Sequence, residues 1–134
     1  MSQEVPEPTE RELQILKVLW EAGEASVHDV YVALRDELGI VQNTVQAFLR
    51  TMEQKGLVRH RTEGRTFVYR AVKPREQTEK HIVGGVLERL FDGAVDALVA
   101  QALTVKRPSE DEIERLRTML DEFEKARGAR GRKS

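Results

Sequence analysis

Apolar residues in the first half of the chain recur at helical spacing in three successive segments. The first stripe lies in ELQILKVLW (12–20) and the second in SVHDVYVALRDEL (26–38). The third stripe, Val45, Phe48, Leu49 and Met52, occupies positions i, i+3, i+4 and i+7. Side chains at these spacings share one side of an α-helix. The pattern therefore predicts three amphipathic helices that cover a common core.

Residues that start and stop helices flank these stripes. Thr9 and Ser26 are each followed three residues later by an acid, Glu12 and Asp29, which is the spacing of a capping box. A glycine follows each stripe, which is typical of a helix C-terminus. We predict helices beginning after Thr9 and Ser26, and a third helix from about Asn43 to Lys55.

Two short strands are predicted after the third helix. LVRHRT (57–62) and TFVYRA (66–71) are rich in strand-forming residues, and Glu63-Gly64-Arg65 separates them. Alternation predicts Val58 and His60 on the inner side of the hairpin and Arg59 and Arg61 on the outer side. Three helices followed by a hairpin are typical of a winged helix-turn-helix domain. The predicted fold class is mainly α with a small β-hairpin wing.

The chain after Pro74 is predicted to be entirely helical, and its apolar stripes lack a partner within the first domain. Segments this short bury a limited fraction of their surface alone, so we expect the stripes to pair with a second copy in a two-fold dimer. The predicted domains are a disordered N-terminus (1–8), a winged-helix domain (9–73), a helical dimerisation domain (74–126) and a basic disordered tail (127–134). The predicted dimerisation residues are Val83, Val86, Leu87, Leu90, Leu98, Ile113, Leu116, Leu120 and Phe123.

Positive charge is concentrated in one part of the chain, although the net charge is only −1. Residues 1–40 carry three basic and nine acidic side chains, whereas residues 41–75 carry eight basic and two acidic ones. Such asymmetry indicates an anionic partner, most often nucleic acid. An alternative is that the two zones neutralise each other across the fold.

The third helix carries the side chains that major-groove recognition requires. Asn and Gln can pair bidentately with adenine, Thr can hydrogen-bond or contact a thymine methyl group, and Ala can contact that methyl group. The first turns of a recognition helix enter the groove. We therefore predict that Asn43, Thr44, Gln46 and Ala47 read bases. The predicted phosphate or wing contacts are Arg50, Arg59, Arg61 and Arg65.

The sequence also resembles the penicillinase-repressor family of bacterial transcription regulators, which includes methicillin-resistance repressors and copper-responsive relatives. The matching segments are ELQILKVLW (12–20), NTVQAFLRTMEQKGLV (43–58), EGRTFVYR (63–70) and GGVLERLFDGAVDALV (84–99). The resemblance implies a homodimer that represses promoters by binding palindromic operators with TACA/TGTA half-sites. It also implies base reading by Asn43, Thr44, Gln46 and Ala47, and phosphate contacts by Arg50 and Arg65.

The sequence departs from the family pattern at several positions. Val41 stands where family members often have a helix-capping hydroxyl residue, and Asn43 stands where a lysine is common, so the operator sequence stays open. In antibiotic-responsive members a membrane-sensor pathway leads to cleavage at an Asn-Phe bond, but the matching position here is Gln101-Ala102. Copper-type induction uses Cys-x-Cys motifs, and the chain has no cysteine. A membrane sensor or protease pathway stays open as a partner, and so does the inducing signal.

Other classes of function are weakly supported. The three histidines are scattered and form no metal-ligand pair, so we expect no enzyme activity, no metal and no cofactor. No apolar run is long enough to span a membrane, and the N-terminus lacks the build of a secretory signal; we expect a cytoplasmic protein. The alternative function is a winged-helix protein-interaction adaptor that does not bind DNA.

Overall fold

The structure, a computed structural model, describes residues 5–131 and contains six helices and three strands in that range. The elements are α1 (Glu10–Ala22), β1 (Ala25–Ser26), α2 (Val27–Leu38), α3 (Gln42–Lys55), β2 (Val58–Glu63), β3 (Thr66–Ala71), α4 (Arg75–Phe91), α5 (Val95–Val105) and α6 (Glu110–Gly131). The first six form a winged helix-turn-helix, and the last three are helical. The predicted fold class is confirmed.

Both predicted capping boxes of the first domain are present. The Thr9 N–H donates to Glu12 Oε1 at 2.9 Å, and the Glu12 N–H donates to Thr9 Oγ1 at 3.3 Å. The equivalent bonds between Ser26 and Asp29 measure 3.2 and 3.1 Å. These bonds satisfy amides that would otherwise lack partners at the helix N-termini, so short sequence signals set where α1 and α2 begin.

The sheet has the strand order β1-β3-β2, and both pairings are antiparallel. β2 and β3 form the predicted hairpin, with Val58 opposite Ala71 and Glu63 opposite Thr66. β1 was not predicted, because two residues, Ala25 and Ser26, are too few to show alternation. It pairs only with Tyr69 and Val68. Beyond these two residues the hairpin is a two-stranded ribbon.

The core lies among α1, α2, α3 and the sheet. Ile15, Leu16 and Leu19 of α1 pack with apolar residues of the other helices and strands, all of them buried. In contrast, no apolar side chain between residues 86 and 129 is buried in the single chain. Hydrophobic burial therefore stabilises the first domain within one subunit, whereas the later helices leave their apolar stripes uncovered.

The chain divides into two compact units, residues 1–85 and 86–134. The predicted boundary lay earlier, between residues 73 and 74. The beginning of α4 contacts the first unit, because the Arg75 guanidinium lies 6.0 Å from the Trp20 ring centre, and Trp20 Nε1 donates to the Lys73 carbonyl just before the helix at 2.9 Å. The division falls inside α4.

The two ends of the chain differ in part from the prediction of disorder. Residues 1–4 and 132–134 lie outside the described residues. Val5 packs against the core, so the N-terminal segment is held in place from this residue onward. α6 continues to Gly131, past residue 127 where the tail was predicted to begin, although Gly128 and Gly131 are poor helix formers. No helix in the described part of the chain is both long and apolar enough to cross a membrane.

Candidate nucleic-acid interface

α3 is anchored by one apolar side and ends abruptly at a glycine. Val45, Leu49 and Met52 are fully buried, so the orientation of the helix about its axis is fixed. Gly56 adopts a left-handed conformation with φ 86° and ψ 13°, and its N–H donates to the carbonyls of Met52 and Glu53. Few residues other than glycine adopt this conformation. The chain can therefore turn directly from α3 into β2.

The opposite side of α3 is polar and accessible. Asn43, Gln46, Ala47 and Arg50 are exposed, and Thr44 is half-buried because it lies toward the flank of the helix. This is the side that major-groove recognition would use. Thr51 and Gln54 are also exposed, but they lie beyond the first turns of the helix, which are the part of a recognition helix that enters the groove.

The N-terminus of α3 has an unusual cap. Val41 is the N-cap residue and makes no side-chain cap hydrogen bond, while its carbonyl accepts from the Thr44 and Val45 amides. The Val41 side chain is 61% exposed. Nearby, His28 Nδ1 lies 3.1 Å from Gln42 Oε1, which links the start of α2 to the start of α3. Neither His28 nor Gln42 was singled out from the sequence.

The hairpin presents two different faces. Gly64, in the turn between the strands, adopts a left-handed conformation with φ 63°. On the inner face, the His60 ring stacks on Phe67 at 4.1 Å between centroids and lies 5.5 Å from Tyr69. Arg59 and Arg61 alternate onto the outer face, as predicted. The two faces carry different chemistry: aromatic toward α3, and charged away from it.

An open groove runs between the start of α3 and the hairpin. Gln46 and Arg50 of α3 line one side of it, and Arg65 and Phe67 line the other. Tyr69 lies at the groove, where burial raises the pKa of its phenol; Glu53 raises that pKa further, and Arg50 opposes the rise. The structure therefore places a predicted base-reading residue beside two predicted phosphate contacts.

The four predicted phosphate-binding arginines have different environments. Arg50, Arg59 and Arg65 make no ion pair with any carboxylate that the structure describes. Arg61 is different, because its Nη2 lies 2.6 Å from Glu24 Oε1 and 2.7 Å from Glu63 Oε2. These bonds hold the pKa of Arg61 above its ordinary value and, mainly through Arg61, the pKa of Glu24 below its own.

One further arginine of the hairpin, Arg70, was missed by sequence reasoning. It lies directly opposite Arg59 on the outer face of the hairpin. Like charges facing each other across a strand pair repel, so the base of the hairpin carries a local excess of positive charge. Only the strand register reveals this pair, because eleven positions separate the two residues along the chain.

A partly buried ion pair fixes α3 to the start of α1. Lys55 Nζ donates to Glu12 Oε2 at 2.8 Å, and the Glu12 side chain is 2% exposed. Burial raises the pKa of the Glu12 carboxyl, but hydrogen bonds from Lys55 and Thr9 lower it more, so the pKa lies below its ordinary value of 4.5. The ion pair holds the end of α3 in place.

The predicted dimerisation residues are exposed or half-buried in the single chain. Val83, Leu90, Ile113, Leu120 and Phe123 are exposed, and Phe123 is 75% exposed. The half-buried members are Val86, Leu87, Leu98 and Leu116. Exposed apolar side chains of this size are candidates for an interaction surface. The described residues contain no group of three or more side chains placed to bind a metal ion.

Comparison with known proteins identifies the family. The penicillinase repressor family matches residues 8–122, which is most of the chain. The chain belongs to the penicillinase repressor family. Among curated members, it is similar to the penicillinase repressor of Bacillus licheniformis, with 26% identity over 118 residues that cover 88% of this chain and 92% of the relative. An uncharacterized 16.5 kDa protein of Latilactobacillus sakei is 21% identical over 120 residues, covering 90% and 82%.

Solved structures of repressor domains are also similar to this chain. The DNA-binding domain of the repressor BlaI matches with 27% identity and a TM-score of 0.49, covering 55% of this chain and 90% of that domain. The Bacillus licheniformis BlaI monomer in complex with a half-operator matches with 27% identity and a TM-score of 0.48, covering 55% and 89%.

Proposed function

We propose that this protein is a dimeric transcriptional repressor that recognises a palindromic operator in double-stranded DNA. The observation that carries this proposal is the groove in which Gln46 and Arg50 of α3 lie opposite Arg65 of the wing. A helix that offers amides toward bases, with cations on both sides for phosphates, has the composition of a sequence-reading surface. Family membership supports the same function, and the Bacillus licheniformis relative is itself named a repressor.

Asn43, Thr44, Gln46 and Ala47 are proposed to read bases from the first turns of α3. Their exposed or half-buried positions on one side of the helix support this assignment, since an α-helix in the major groove can contact several successive base pairs. TACA/TGTA half-sites follow from the family resemblance. Asn43 replaces a cation in that pattern, so one base or phosphate contact is expected to differ.

Arg50, Arg59 and Arg65 are proposed to contact phosphates. None of them forms an ion pair with a described carboxylate, so each has a full charge available for DNA. Arg61, which sequence analysis placed in the same group, shares its charge with Glu24 and Glu63. We therefore assign Arg61 a different role below.

Dimerisation is proposed to occur through the apolar residues of α4, α5 and α6. In α6, Ile113, Leu120 and Phe123 are exposed in the single chain, and burying such side chains contributes about 1.5–3 kcal/mol each. A two-fold pair would present two recognition helices to two half-sites. This is the arrangement that a palindromic operator requires.

The protein is proposed to act in the cytoplasm, where its DNA target lies, and to lack enzyme activity, as expected of a repressor. Cleavage at the family's Asn-Phe position is not part of the proposal, because Gln101 and Ala102 occupy that position in α5.

A test begins with selection of duplexes from a random library by the full chain, followed by binding of the enriched duplex and of a scrambled duplex. We expect two-fold symmetric sequences to be enriched. The logarithm of affinity should fall with that of salt concentration with a slope of about −0.9 for each phosphate neutralised. The adaptor alternative predicts no enrichment and no salt dependence, and that result would refute the repressor proposal.

A further inference from the structure

The wing is fastened to the rest of the domain at two adjacent residues of β2, one on each face. On the inner face, His60 Nδ1 lies 2.7 and 2.9 Å from the two oxygens of Glu53 in α3, and the His60 N–H donates to the same carboxylate at 3.3 Å. On the outer face, Arg61 Nη2 and Nε donate to Glu24 at 2.6 and 3.1 Å. Glu24 belongs to the turn between α1 and β1.

These two fastenings lie where the sheet loses its third strand. His60 and Arg61 are opposite Tyr69 and Val68, the two residues of β3 that also pair with β1. Beyond them the Thr62–Phe67 and Glu63–Thr66 pairs have no third strand beside them. A two-stranded ribbon is at best marginally stable by itself. The orientation of the ribbon, and of Arg65 at its tip, therefore depends on what holds its base.

Arg61 is poorly suited to bind DNA directly. Its guanidinium is engaged by Glu24 and by Glu63, whereas Arg59 on the same face of the hairpin makes no ion pair with a described carboxylate. A phosphate would have to displace two carboxylates to reach Arg61. Arg65 has no such competitor among the described residues.

We propose that the Glu24–Arg61 and Glu53–His60 contacts form a clamp that holds Arg65 over the groove, and that Arg61 and His60 are positioning residues rather than DNA contacts. The inference rests on the proposed DNA-binding function. The clamp explains why Arg61, in the basic region 41–75, is neutralised by acidic side chains. The ion pair orders the wing before DNA binds, and this lowers the entropic cost of binding.

Substitution of Glu24 distinguishes the clamp from simple electrostatics, because the two explanations predict opposite changes in DNA affinity. If Arg61 contacts DNA, or if only total charge matters, Glu24→Ala removes a negative charge and tightens DNA binding. If the clamp positions Arg65, the same change loosens the wing and weakens binding. Glu21→Ala is a matched control, since it removes one exposed acid from the neighbouring end of α1 without touching the wing.

The decisive experiment measures the affinity of the full chain for its selected duplex in four variants: Glu24→Ala, Glu21→Ala, Arg65→Ala, and Glu24→Ala with Arg65→Ala. We expect Glu24→Ala to weaken binding about two- to fivefold, the range typical of an exposed charge pair, and Glu21→Ala not to weaken it. In the Arg65→Ala background the loss from Glu24→Ala should disappear. Tighter binding by Glu24→Ala, or an equal loss without Arg65, would overturn the proposal.

A second measurement needs no DNA and separates failure of the clamp from failure of the proposed function. Amide hydrogen exchange in the free full-length protein reports opening of the ribbon at Glu63 and Thr66. We expect exchange there to be about two- to fivefold faster in Glu24→Ala than in Glu21→Ala, with core amides such as Leu49 unchanged. Equal exchange in the two variants would refute the clamp. Absence of DNA binding by the unmodified protein would refute the repressor function instead and leave the exchange result to decide the clamp.

Discussion

At the scale of single residues, Gln46 is the clearest test of base reading, because it is exposed on α3 and also lines the groove. We expect Gln46→Ala to cost about 1–3 kcal/mol on the selected operator and to relax preference at one base position. Binding to a panel of operators with single base changes measures both effects. Gln54→Ala, an exposed glutamine nearer the end of the same helix, should leave base preference unchanged. Unaltered preference in Gln46→Ala would show that another side of α3 reads DNA.

Val41 provides a prediction about stability. A valine cannot accept the hydrogen bonds of free helix amides, so α3 begins without a side-chain cap. We expect Val41→Ser to raise the free energy of unfolding by about 0.5–2 kcal/mol, measured by urea denaturation. Val41→Ala is the control and should give no comparable gain. A Val41→Ser protein no more stable than Val41→Ala would mean that the new hydroxyl does not reach the helix amides.

The exposure of individual residues was predictable from the sequence where it depends on local position. Helical spacing alone predicts that Gln46 and Arg50 face outward, and both are exposed; their contacts with DNA stay predictions. The partner of Arg61 is a different case, because Glu24 is 37 positions away along the chain. No local pattern connects them, and only the folded sheet brings the turn after α1 next to β2.

At the scale of elements, the Glu12–Lys55 ion pair joins α1 to α3 and makes their packing sensitive to acid. Because the pKa of Glu12 is lower in the folded chain than its ordinary 4.5, the folded state favours the ionised carboxylate. This contribution to stability is complete above pH 4.5 and is lost as the pH falls through the folded pKa. We expect Glu12→Gln to flatten the decline in unfolding free energy as the pH falls below 4.5.

The control for this experiment is Glu10→Gln, which removes an exposed carboxyl from the same helical turn. The unfolding free energy of the Glu10→Gln protein should fall with decreasing pH as steeply as that of the unmodified protein. If the unfolding free energy of the Glu12→Gln protein falls equally steeply, the buried Glu12 carboxylate does not determine acid sensitivity. Other carboxylates of the domain must then be responsible.

Helix boundaries were predictable because caps and stops are encoded within a few residues. Thr9 with Glu12 and Ser26 with Asp29 form the hydrogen bonds that their spacing predicted. The hairpin was predictable from its alternation and from Gly64. β1 was not, because its two residues become a strand only through pairing with β3.

At the scale of the whole molecule, the exposed stripe of α6 is the basis for a prediction about assembly. Leu120 is 66% exposed in the single chain, so Leu120→Asp should leave each subunit folded but prevent dimerisation. Sedimentation should then show monomers, and operator affinity should fall by at least about 10²-fold because two half-sites can no longer be engaged together. Thr118→Asp introduces the same charge on the opposite side of α6 and should remain dimeric. A dimeric Leu120→Asp protein would exclude this stripe from the interface.

The domain boundary shows the limit of sequence reasoning at this scale. Pro74 and the change in composition suggested a break there, but the chain divides after Gly85. The Trp20 indole bonds the Lys73 carbonyl just before α4, and Arg75 at the start of α4 lies over the Trp20 ring, so the start of α4 contacts the first unit. The sequence around Trp20 does not predict which backbone carbonyl accepts the hydrogen bond of its indole, because that carbonyl lies 53 positions away.

The direct turn from α3 into β2 at Gly56 has a consequence for how repression could be lifted. Leu57 donates to the Met52 carbonyl, and the Val72 amide donates to Leu57, so helix and hairpin share their hydrogen bonds with no linker between them. Because no flexible linker separates α3 from the hairpin, an inducer could not easily change the angle between them within one subunit. We therefore expect the proposed dimer to release DNA by separating its two subunits or by changing the distance between their winged-helix domains, while the fold of each domain is unchanged.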